Sequence, residues 1–373
     1  MKVLQIGKFY PPRWGGMETV LKDICETTQD SIDLQVVVAN EANTTVNETR
    51  DGVPVTRLAS WGTWFSQPIT PGIMSALRRS DADLVHLHEP NPLATTAYLA
   101  SGFRGRLILH YHSDIVRQKR LRRLYRPLLD AALRKAEAIV VGSRELLDHS
   151  TVLAPFRSKC VVIPFGIDLK PFLAMERRPQ PEPLILAVGR LSYYKGFHHL
   201  IEAMQGVPAR LVIVGDGDLR EAMEQQILHF GLSRQVRLAG RASFAQLLDW
   251  YAQADLFCLP SCATSEAFGL VMVEAMAAGL AVVSTDLPTG MRSVNVHGET
   301  GLVVPPAEPA AMREALSMLV NDRTTCRQFG ENGRRRAAQI FDREKMGRQI
   351  LNLYEAVTRD STLSKPNQQW VSI

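Results

Sequence analysis

The sequence predicts an α/β protein with two domains, each built on a parallel sheet that helices cover on both faces. Short β-branched or apolar runs alternate with helical patterns along the whole chain, which is the rhythm of such sheets. The 373 residues are more than one ordinary core accommodates. Near the middle, Arg177–Pro183 carries too many prolines for a helix or a central strand, so we expect a linker there.

Each strand is predicted from a run that is apolar enough to be buried on both faces of a sheet. In the first half these runs are Lys2–Phe9, Leu34–Asn40, Pro54–Ala59, Leu84–His88, Arg106–His112, Ala138–Gly142 and Cys160–Phe165. In the second half they are Leu184–Gly189, Ala209–Gly215, Val236–Ala239, Leu256–Pro260, Ala281–Ser284 and Leu302–Val304.

The expected domain boundaries follow from these elements. The first domain covers residues 1–168, the linker 169–183 and the second domain 184–342. A helix over 343–357 follows the second sheet and is expected to cross back onto the first domain, before a flexible tail at 358–373. Two such domains should face each other across a cleft, where ligands usually bind.

The composition is that of a globular protein, with 46% hydrophobic and 22% charged residues. No apolar run approaches the roughly 20 residues that cross a bilayer, and the N-terminus lacks the pattern of a signal peptide. We therefore expect a cytoplasmic protein. The five cysteines are scattered and complete no zinc pattern, so we interpret them as reduced thiols that mostly fill the core.

The formal net charge of +5 is concentrated in the first half of the chain. Residues 1–165 hold 21 Lys and Arg against 16 Asp and Glu, and the remainder holds 22 of each. One basic segment contains Arg117, Lys119, Arg120, Arg122, Arg123, Arg126, Arg134 and Lys135. Apolar residues repeat at helical spacing on its other face: Leu121, Leu124, Tyr125, Leu128, Leu129 and Ala132.

Two interpretations of this basic helix stay open. A run of charges is usually a solvated helix face. Attachment to anionic lipid is the alternative, since each cation near such a surface contributes about 1 kcal/mol. Nucleic acid is disfavoured because no aromatic interleaving or known binding module accompanies the charges. We predict peripheral attachment at the inner face of the cell membrane.

The strongest chemical signal is the segment Ser265–Gly279. A helix is predicted to begin near Phe268 or Gly269, which places Glu266 in the preceding loop and Glu274 one to two turns inside. The free N–H groups of a helix N-terminus favour a phosphate, and a nearby carboxylate can accept bonds from two sugar hydroxyls. The alternative is a charge near the cap and a solvated helix residue.

With seven residues between them, Glu266 and Glu274 resemble the Glu-x7-Glu motif of retaining GT-B glycosyltransferases of family 4. Similar blocks run from Lys2 to about Val357. The resemblance implies two Rossmann-like domains facing across a cleft. It also implies that Glu266 faces the donor sugar, that Glu274 holds the ribose hydroxyls, and that the helix N-terminus at Phe268, Gly269 and Leu270 binds the donor.

A second block, Gly189–Gly196, follows a buried strand directly. Its Arg190 and Lys195 can clamp a diphosphate, one as a planar fork and the other as a point charge, although two solvated cations on a turn are the alternative. The block resembles the Gly-Arg…Lys-Gly motif of the family. The resemblance implies that these cations neutralise the leaving diphosphate, so that no metal or other cofactor is required.

Two further positions follow predicted strands of the first domain. The pair Gly15 and Gly16 lets the backbone approach a ligand closely, or simply makes a turn. His112 ends a strand and can bond a sugar hydroxyl, or is a satisfied histidine near the core. The resemblance implies that the glycines lie beside the donor phosphate and the acceptor pocket, that His112 lies near the 6-position of the sugar, and that Asp114 contacts the acceptor.

The remaining blocks carry weaker signals. Val162–Asp168 resembles the inter-domain Pro-Asn-Gly-x-Asp segment of the family but has Phe165 where asparagine is usual. Gly215 lies in a short glycine motif that is not a dinucleotide fingerprint, because Arg220 takes the place of its third glycine. By resemblance, the nucleotide side of the donor contacts Gly215, Gly240 and Arg241.

These observations predict a retaining, metal-independent hexosyltransferase whose catalytic residues are Glu266, His112, Arg190 and Lys195. The stretch His112–Lys119 resembles mannosyl- and rhamnosyltransferases of bacterial surface polysaccharides such as lipopolysaccharide. We therefore expect GDP-mannose as donor, with UDP-sugars as the alternative, and a glycan or polyprenyl-diphosphate-linked acceptor. An NAD-dependent oxidoreductase is disfavoured, since a glycine fingerprint after the first strand is missing. A non-catalytic nucleotide-sugar-binding protein is the other alternative.

Overall fold

The computed structural model describes residues 1–13, 15–64, 67–114, 119–178 and 180–359. The chain divides into two compact units. Unit 1 comprises Met1–Ile167 together with Arg343–Ile373, and unit 2 comprises Asp168–Asp342.

Unit 1 contains an eight-stranded sheet and a small two-stranded one. Its strands are β1 (Lys2–Ile6), β2 (Asp33–Ala39), β3 (Val46–Arg50), β4 (Val53–Leu58), β5 (Thr63–Trp64), β6 (Gln67–Pro68), β7 (Leu84–Glu89), β8 (Arg106–Tyr111), β9 (Ala138–Val141) and β10 (Cys160–Val162). The order in the large sheet is β10-β9-β8-β7-β1-β2-β4-β3, and only the edge strand β3 pairs antiparallel. The chain winds from β1 to one side and returns to the other, so the order reverses between β1 and β7.

Helices cover this sheet. They are α1 (Gly16–Thr28), α2 (Ile73–Arg79), α3 (Pro92–Ser101), α4 (Lys119–Lys135), α5 (Arg144–His149) and, from the end of the chain, α14 (Arg343–Arg359). Local sequence sets their ends: Asn91 caps α3 with Pro92 in its first turn, and Gly102 ends it in the left-handed conformation. The helix α14 packs against α1, where Arg343 pairs with Glu26 at 2.9 Å.

Unit 2 is a six-stranded parallel sheet of order β13-β12-β11-β14-β15-β16. Its strands are β11 (Leu184–Val188), β12 (Arg210–Val214), β13 (Val236–Gly240), β14 (Leu256–Leu259), β15 (Ala281–Thr285) and β16 (Gly301–Val304). Its helices are α6 (Lys170–Leu173), α7 (Phe197–Ala203), α8 (Arg220–His229), α9 (Phe244–Gln253), α10 (Leu270–Ala277), α11 (Met291–Val294), α12 (Pro309–Asn321) and α13 (Arg323–Ile340). Here the strand order reverses between β11 and β14.

Every strand predicted from the sequence is present, with ends that differ by at most three residues. The central strands β7, β9, β11 and β14 are buried along their whole length, as parallel strands covered on both faces should be. The short strands β5 and β6, which pair with each other, were not predicted, and neither was β3, the antiparallel edge of the large sheet. Its sequence Val46–Arg50 is polar and largely exposed, so no apolar run reveals it.

The structure corrects the predicted apolar face of the basic helix α4. Tyr125, Leu129 and Ala132 are buried, but Leu124 is 77% exposed and Leu128 is 39% exposed. The predicted cation Arg117 lies outside the described residues, as do the side chains of 119–122. Of the expected tail, 360–373 lies outside them too, and Thr358 and Arg359 belong to α14. Within the described residues no helix is long and apolar enough to span a bilayer.

Candidate active site

Two loops of unit 2 meet where the strand order reverses. One follows β11 and the other follows β14, so both leave the carboxyl ends of neighbouring parallel strands, where α/β proteins bind ligands. Gly196 in the first loop has φ +66°, and a Cβ there would lie 2.1 Å from the carbonyl oxygen of Pro260 in the second. Only glycine allows this approach, and the Cys262 N–H donates to the Tyr194 carbonyl at 2.8 Å alongside it.

This approach brings Lys195 and Glu266 together. Each residue is 8% exposed, and Lys195 Nζ lies 2.5 Å from Glu266 Oε2. Burial by itself lowers the pKa of Lys195, but the neighbouring charges, Glu266 foremost, outweigh it and raise the pKa above its ordinary value. The lysine is therefore a fixed positive charge at the end of the sheet.

The geometry leaves one oxygen of Glu266 available. Ser261 Oγ also donates to Oε2, at 2.9 Å, so both bonds fall on the same oxygen. Across the described chain, no hydrogen-bond partner is found for Oε1. A carboxylate held on one side in this way can accept hydrogen bonds from a polyol on the other.

The helix α10 begins beside this pair. Gly269 is its N-cap with φ +78°, and no side chain in the described part of the chain caps the first turn. The Phe268 side chain is buried and packs edge-on against Phe341 at 5.8 Å, so only the backbone of this residue can face a ligand. The N–H groups from Leu270 onward make this helix end favourable for an anion.

Glu274 lies in the second turn of α10. The buried Tyr251 hydroxyl donates to its Oε2 at 2.8 Å, which fixes the direction of the carboxylate. Tyr251 comes from α9, and nothing in its sequence context indicated this role. Ser261 was missed as well, although a Pro-Ser pair at the end of a buried strand is a usable signal.

The other predicted residues of unit 2 lie at neighbouring strand ends. A Cβ on Gly215 would lie 2.0 Å from the Gly189 carbonyl oxygen, and the Gly215 N–H donates to Gly240 at 2.8 Å. These contacts join the loops after β11, β12 and β13. Arg190 and Arg241 are largely exposed, and lie 3.6 Å from Asp218 and 3.8 Å from Asp216 respectively. Arg190 is thus paired with Asp218, whereas Lys195 is paired with Glu266.

In unit 1, the predicted glycines lie in the loop after β1, where the strand order reverses. Gly15 is the N-cap of α1 and Gly16 is its first residue. Among the residues that the structure describes, none lies within 4 Å of a Cβ placed on Gly16. Neither glycine has a left-handed φ, and the pair is therefore not required by the turn itself.

His112 follows β8 and is buried, at 4% exposure. Its Nε2 lies 2.9 Å from His88 Nδ1, so only Nδ1 remains for a ligand. Burial lowers the pKa of His112 well below its usual range, and the imidazole is neutral at physiological pH. Phe165, in the place of the expected asparagine, packs against this ring at 5.2 Å. Asp114 already accepts bonds from Tyr111 at 2.6 Å and Ser150 at 2.8 Å.

Two Rossmann-like units, each with candidate ligand-binding loops where its strand order reverses, are the architecture of the GT-B glycosyltransferases. The comparison with known families agrees. Residues 14–171 match the Glycosyltransferase Family 4 model, and residues 173–336 match the model of glycosyl transferases group 1. The chain belongs to glycosyltransferase family 4, and it is a retaining, nucleotide-sugar-dependent hexosyltransferase.

Two similar proteins align with most of the chain. An O-antigen chain mannosyltransferase C of Escherichia coli is 31% identical and is covered over 98% of its length, with 95% of this chain aligned. A D-rhamnosyltransferase of Pseudomonas aeruginosa is 36% identical over 70% of each chain. Among solved structures, a sucrose-phosphate synthase from Thermosynechococcus elongatus has a TM-score of 0.80 at 22% identity, covering 95% of this chain and 98% of that one.

Proposed function

We propose that the chain transfers mannose or rhamnose from a nucleotide sugar, GDP-mannose foremost, to a glycan or polyprenyl-diphosphate-linked acceptor of a bacterial surface polysaccharide. The observation that carries the reaction is the buried Lys195–Glu266 pair beside the open end of α10. The similarity to a mannosyltransferase and to a D-rhamnosyltransferase supports the choice of sugar. Both are glycosyltransferases of this hexose type.

In this proposal the roles follow the charges. Lys195 and the α10 N-terminus stabilise the diphosphate as it leaves, because a buried cation acts more strongly than a solvated one. Glu266 Oε1 accepts hydrogen bonds from hydroxyls of the sugar. Glu274, which Tyr251 holds in place, accepts hydrogen bonds from the ribose hydroxyls. The leaving phosphate assists the incoming hydroxyl from the same face, and the protein contributes positioning rather than a nucleophile.

The test is a donor panel. Radiolabelled GDP-mannose, GDP-D-rhamnose and UDP-hexoses are incubated with the enzyme and a membrane lipid extract, and label entering the lipid phase is counted. We expect transfer from a GDP-sugar, and a loss of about 100-fold or more in Lys195→Met and Glu266→Gln. The exposed pair Arg178 and Asp249 supplies matched controls, Arg178→Met and Asp249→Asn. Transfer only from UDP-sugars would contradict the donor assignment.

His112 offers a finer test of the sugar. The resemblance implies that it lies near the 6-position, and D-rhamnose is mannose without the 6-hydroxyl. Because a lost hydrogen bond matters only where the hydroxyl exists, His112→Ala should lower kcat/KM for GDP-mannose about 10-fold more than for GDP-D-rhamnose. Equal losses with both donors would place the 6-position elsewhere.

Attachment to the cytoplasmic face of the membrane is part of the proposal. The exposed Leu124 and Leu128 lie one turn apart on α4, a helix that also exposes Arg123 and Arg134. Apolar side chains among cations suit an anionic lipid surface better than water. A second face of α4 packs into unit 1, so the helix has both a core side and a free apolar side.

Vesicle flotation tests this attachment. The enzyme should float with anionic vesicles at low salt, and the double variant Leu124→Ser/Leu128→Ser should float at least about 10-fold less. Leu228→Ser removes an equally exposed leucine, at 62% exposure, from unit 2 and serves as the control. Flotation that ignores both salt and the double variant rules out α4 as the attachment element.

A further inference from the structure

A row of polar side chains crosses the large sheet in unit 1 on the face that Tyr354 of α14 covers, opposite the face of Leu4, Val85 and Leu109. It consists of Gln5 on β1, His86 and His88 on β7, and His110 and His112 at the end of β8, each 4% exposed or less. The strand register places Gln5 opposite His86 and His88 opposite His110. Buried polar groups need partners, so this row requires its own hydrogen-bonding explanation.

A chain of hydrogen bonds joins part of the row to α14. Gln5 Nε2 donates to the Tyr354 hydroxyl at 2.7 Å, and that hydroxyl lies 2.6 Å from His86 Nδ1. Gln5 Oε1 lies 3.1 Å from His88 Nε2. The chain ends with the 2.9 Å contact between His88 Nδ1 and His112 Nε2.

The orientation of the Gln5 amide, whose Nε2 faces Tyr354 and whose Oε1 faces His88, sets where each proton of this chain lies. An amide oxygen only accepts, so His88 Nε2 carries a hydrogen. Burial lowers the pKa of His88 to about 3, so this ring is neutral and its Nδ1 has none. His112 Nε2 must then donate to it, which leaves Nδ1 of His112 as a bare lone pair.

A metal ion is the competing explanation of the row. His86, His88 and His110 each offer a ring nitrogen, and these nitrogens lie within 4.8 Å of one another. Both nitrogens of His88 are however engaged, by Gln5 and by His112. The trio therefore does not leave three free nitrogens for an ion.

We propose that Gln5, oriented by Tyr354, sets the tautomer of His112 through His88. His112 then presents an unprotonated Nδ1 and acts as a hydrogen-bond acceptor for a sugar hydroxyl, not as a proton donor. Gln5, His88 and Tyr354 are positioning residues in this scheme. The contact with the sugar rests on the function proposed above, whereas the tautomer itself does not.

Nitrogen NMR of the protein labelled with ¹⁵N-histidine tests the tautomer directly. The chain has nine histidines, and a His112→Gln variant assigns the resonances of interest. In the wild type, His112 should show a protonated Nε2 and an unprotonated Nδ1. In Gln5→Met the amide is gone while the side-chain volume is nearly kept, and both tautomers of His112 should appear.

A second pair of variants distinguishes loss of the hydrogen-bond chain from a general folding defect. Tyr354→Phe removes the hydroxyl that orients Gln5 and contacts His86, but it removes no direct contact of His88 or His112, and it too should yield both tautomers of His112. Tyr98→Phe removes another buried hydroxyl of unit 1, which has no partner within the described residues, and it should leave the His112 signals unchanged. A wild type with protonated Nδ1, or a tautomer that stays fixed in Gln5→Met and Tyr354→Phe, overturns the proposal.

Kinetics separate this inference from the proposed function. Loss of an orienting partner should lower kcat/KM in Gln5→Met by about 10- to 100-fold, with Tyr98→Phe unaffected. An inactive wild type with the expected tautomer would refute the transferase proposal and support the chain of hydrogen bonds. An unchanged kcat/KM in a variant that has lost the tautomer would overturn its link to catalysis.

Discussion

Lys195 and Glu266 form a buried ion pair, an arrangement that costs desolvation free energy and so is not explained by stability alone. Two charges are withdrawn from water to 8% exposure each, and their attraction offsets a desolvation cost that apolar residues would not have. A site that only needed stability would not place them there. Their position at the reversal of the sheet agrees with the role that we propose for them at the donor.

A double-variant cycle tests this arrangement. Glu266→Gln leaves Lys195 buried without its counter-charge, so the free energy of unfolding should fall by about 1–3 kcal/mol. Lys195→Met/Glu266→Gln removes both charges and should recover most of that loss while remaining inactive. Urea unfolding and the transfer assay on the same preparations provide the measurement. Single variants as stable as the wild type would show that the pair is not energetically coupled.

The histidine row predicts an acid-sensitive unit 1. Burial lowers the pKa of His110 well below its usual range, and within the described chain neither ring nitrogen has a partner. On acidification, His110 therefore becomes protonated in the unfolded chain at a pH where it is still neutral in the folded state. The contribution of neutral His110 to the free energy of unfolding is fully present above the unfolded-state pKa of about 6.5. It is lost progressively as the pH falls below that value. The raised pKa values of Asp23, about 7, and Glu89 act in the opposite direction.

His110→Leu isolates this effect, because it leaves those carboxyls in place. Near neutral pH the variant should be as stable as the wild type or more so, since no hydrogen bond is lost. Between about pH 6.5 and 5, the free energy of unfolding of the wild type should fall by about 1.4 kcal/mol per pH unit more than that of the variant. Parallel pH dependences would show that His110 is protonated in the folded state.

Among the elements, the loops after β11 and β14 depend on glycine for their approach. Gly196 and Gly231 have nearly the same backbone, at φ +66° and +68°, but only Gly196 has a neighbour that a Cβ would strike. The two positions thus separate the cost of a left-handed backbone from the cost of the contact.

Alanine at each position measures the difference. Gly231→Ala should lower the free energy of unfolding by about 1–2 kcal/mol. Gly196→Ala should lower it by about 2 kcal/mol more, because the added carbon meets the Pro260 backbone. It should also reduce kcat/KM about 100-fold, since Lys195 is displaced. Equal effects in thermal unfolding and kinetics would mean that the contact is dispensable.

The predictability of the elements followed their burial. Continuous apolar runs revealed the parallel strands, and Gly269 marked the start of α10. The edge strand β3 has no such signal, because a polar strand has the composition of a loop. The exposure of Leu124 was not predicted either, because an exposed leucine at helical spacing cannot be distinguished from a core leucine in the sequence. Local sequence also does not show that Tyr251 would reach Glu274, a contact made only by tertiary packing.

At the scale of the whole molecule, each unit repeats one physical arrangement. A parallel sheet reverses its strand order once, and the loops at that reversal carry the residues proposed for the donor. The end of the chain returns to unit 1 as α14, where Tyr354 is fully buried and joins the hydrogen bonds of Gln5. The glycine and glutamate motifs could be recognised in the sequence. The hydrogen bond between Gln5 and Tyr354, which are 349 residues apart in the chain, could not.

The central claim is that Glu266 meets the sugar end of the donor and Glu274 its nucleotide end. Calorimetric titration of the intact donor and of its nucleoside diphosphate into three proteins tests it most directly. Glu266→Gln should weaken the donor by about 10-fold or more and leave the diphosphate unaffected, whereas Glu274→Gln should weaken both alike. Glu266→Gln binding both ligands as the wild type does, or losing both equally, would contradict the account.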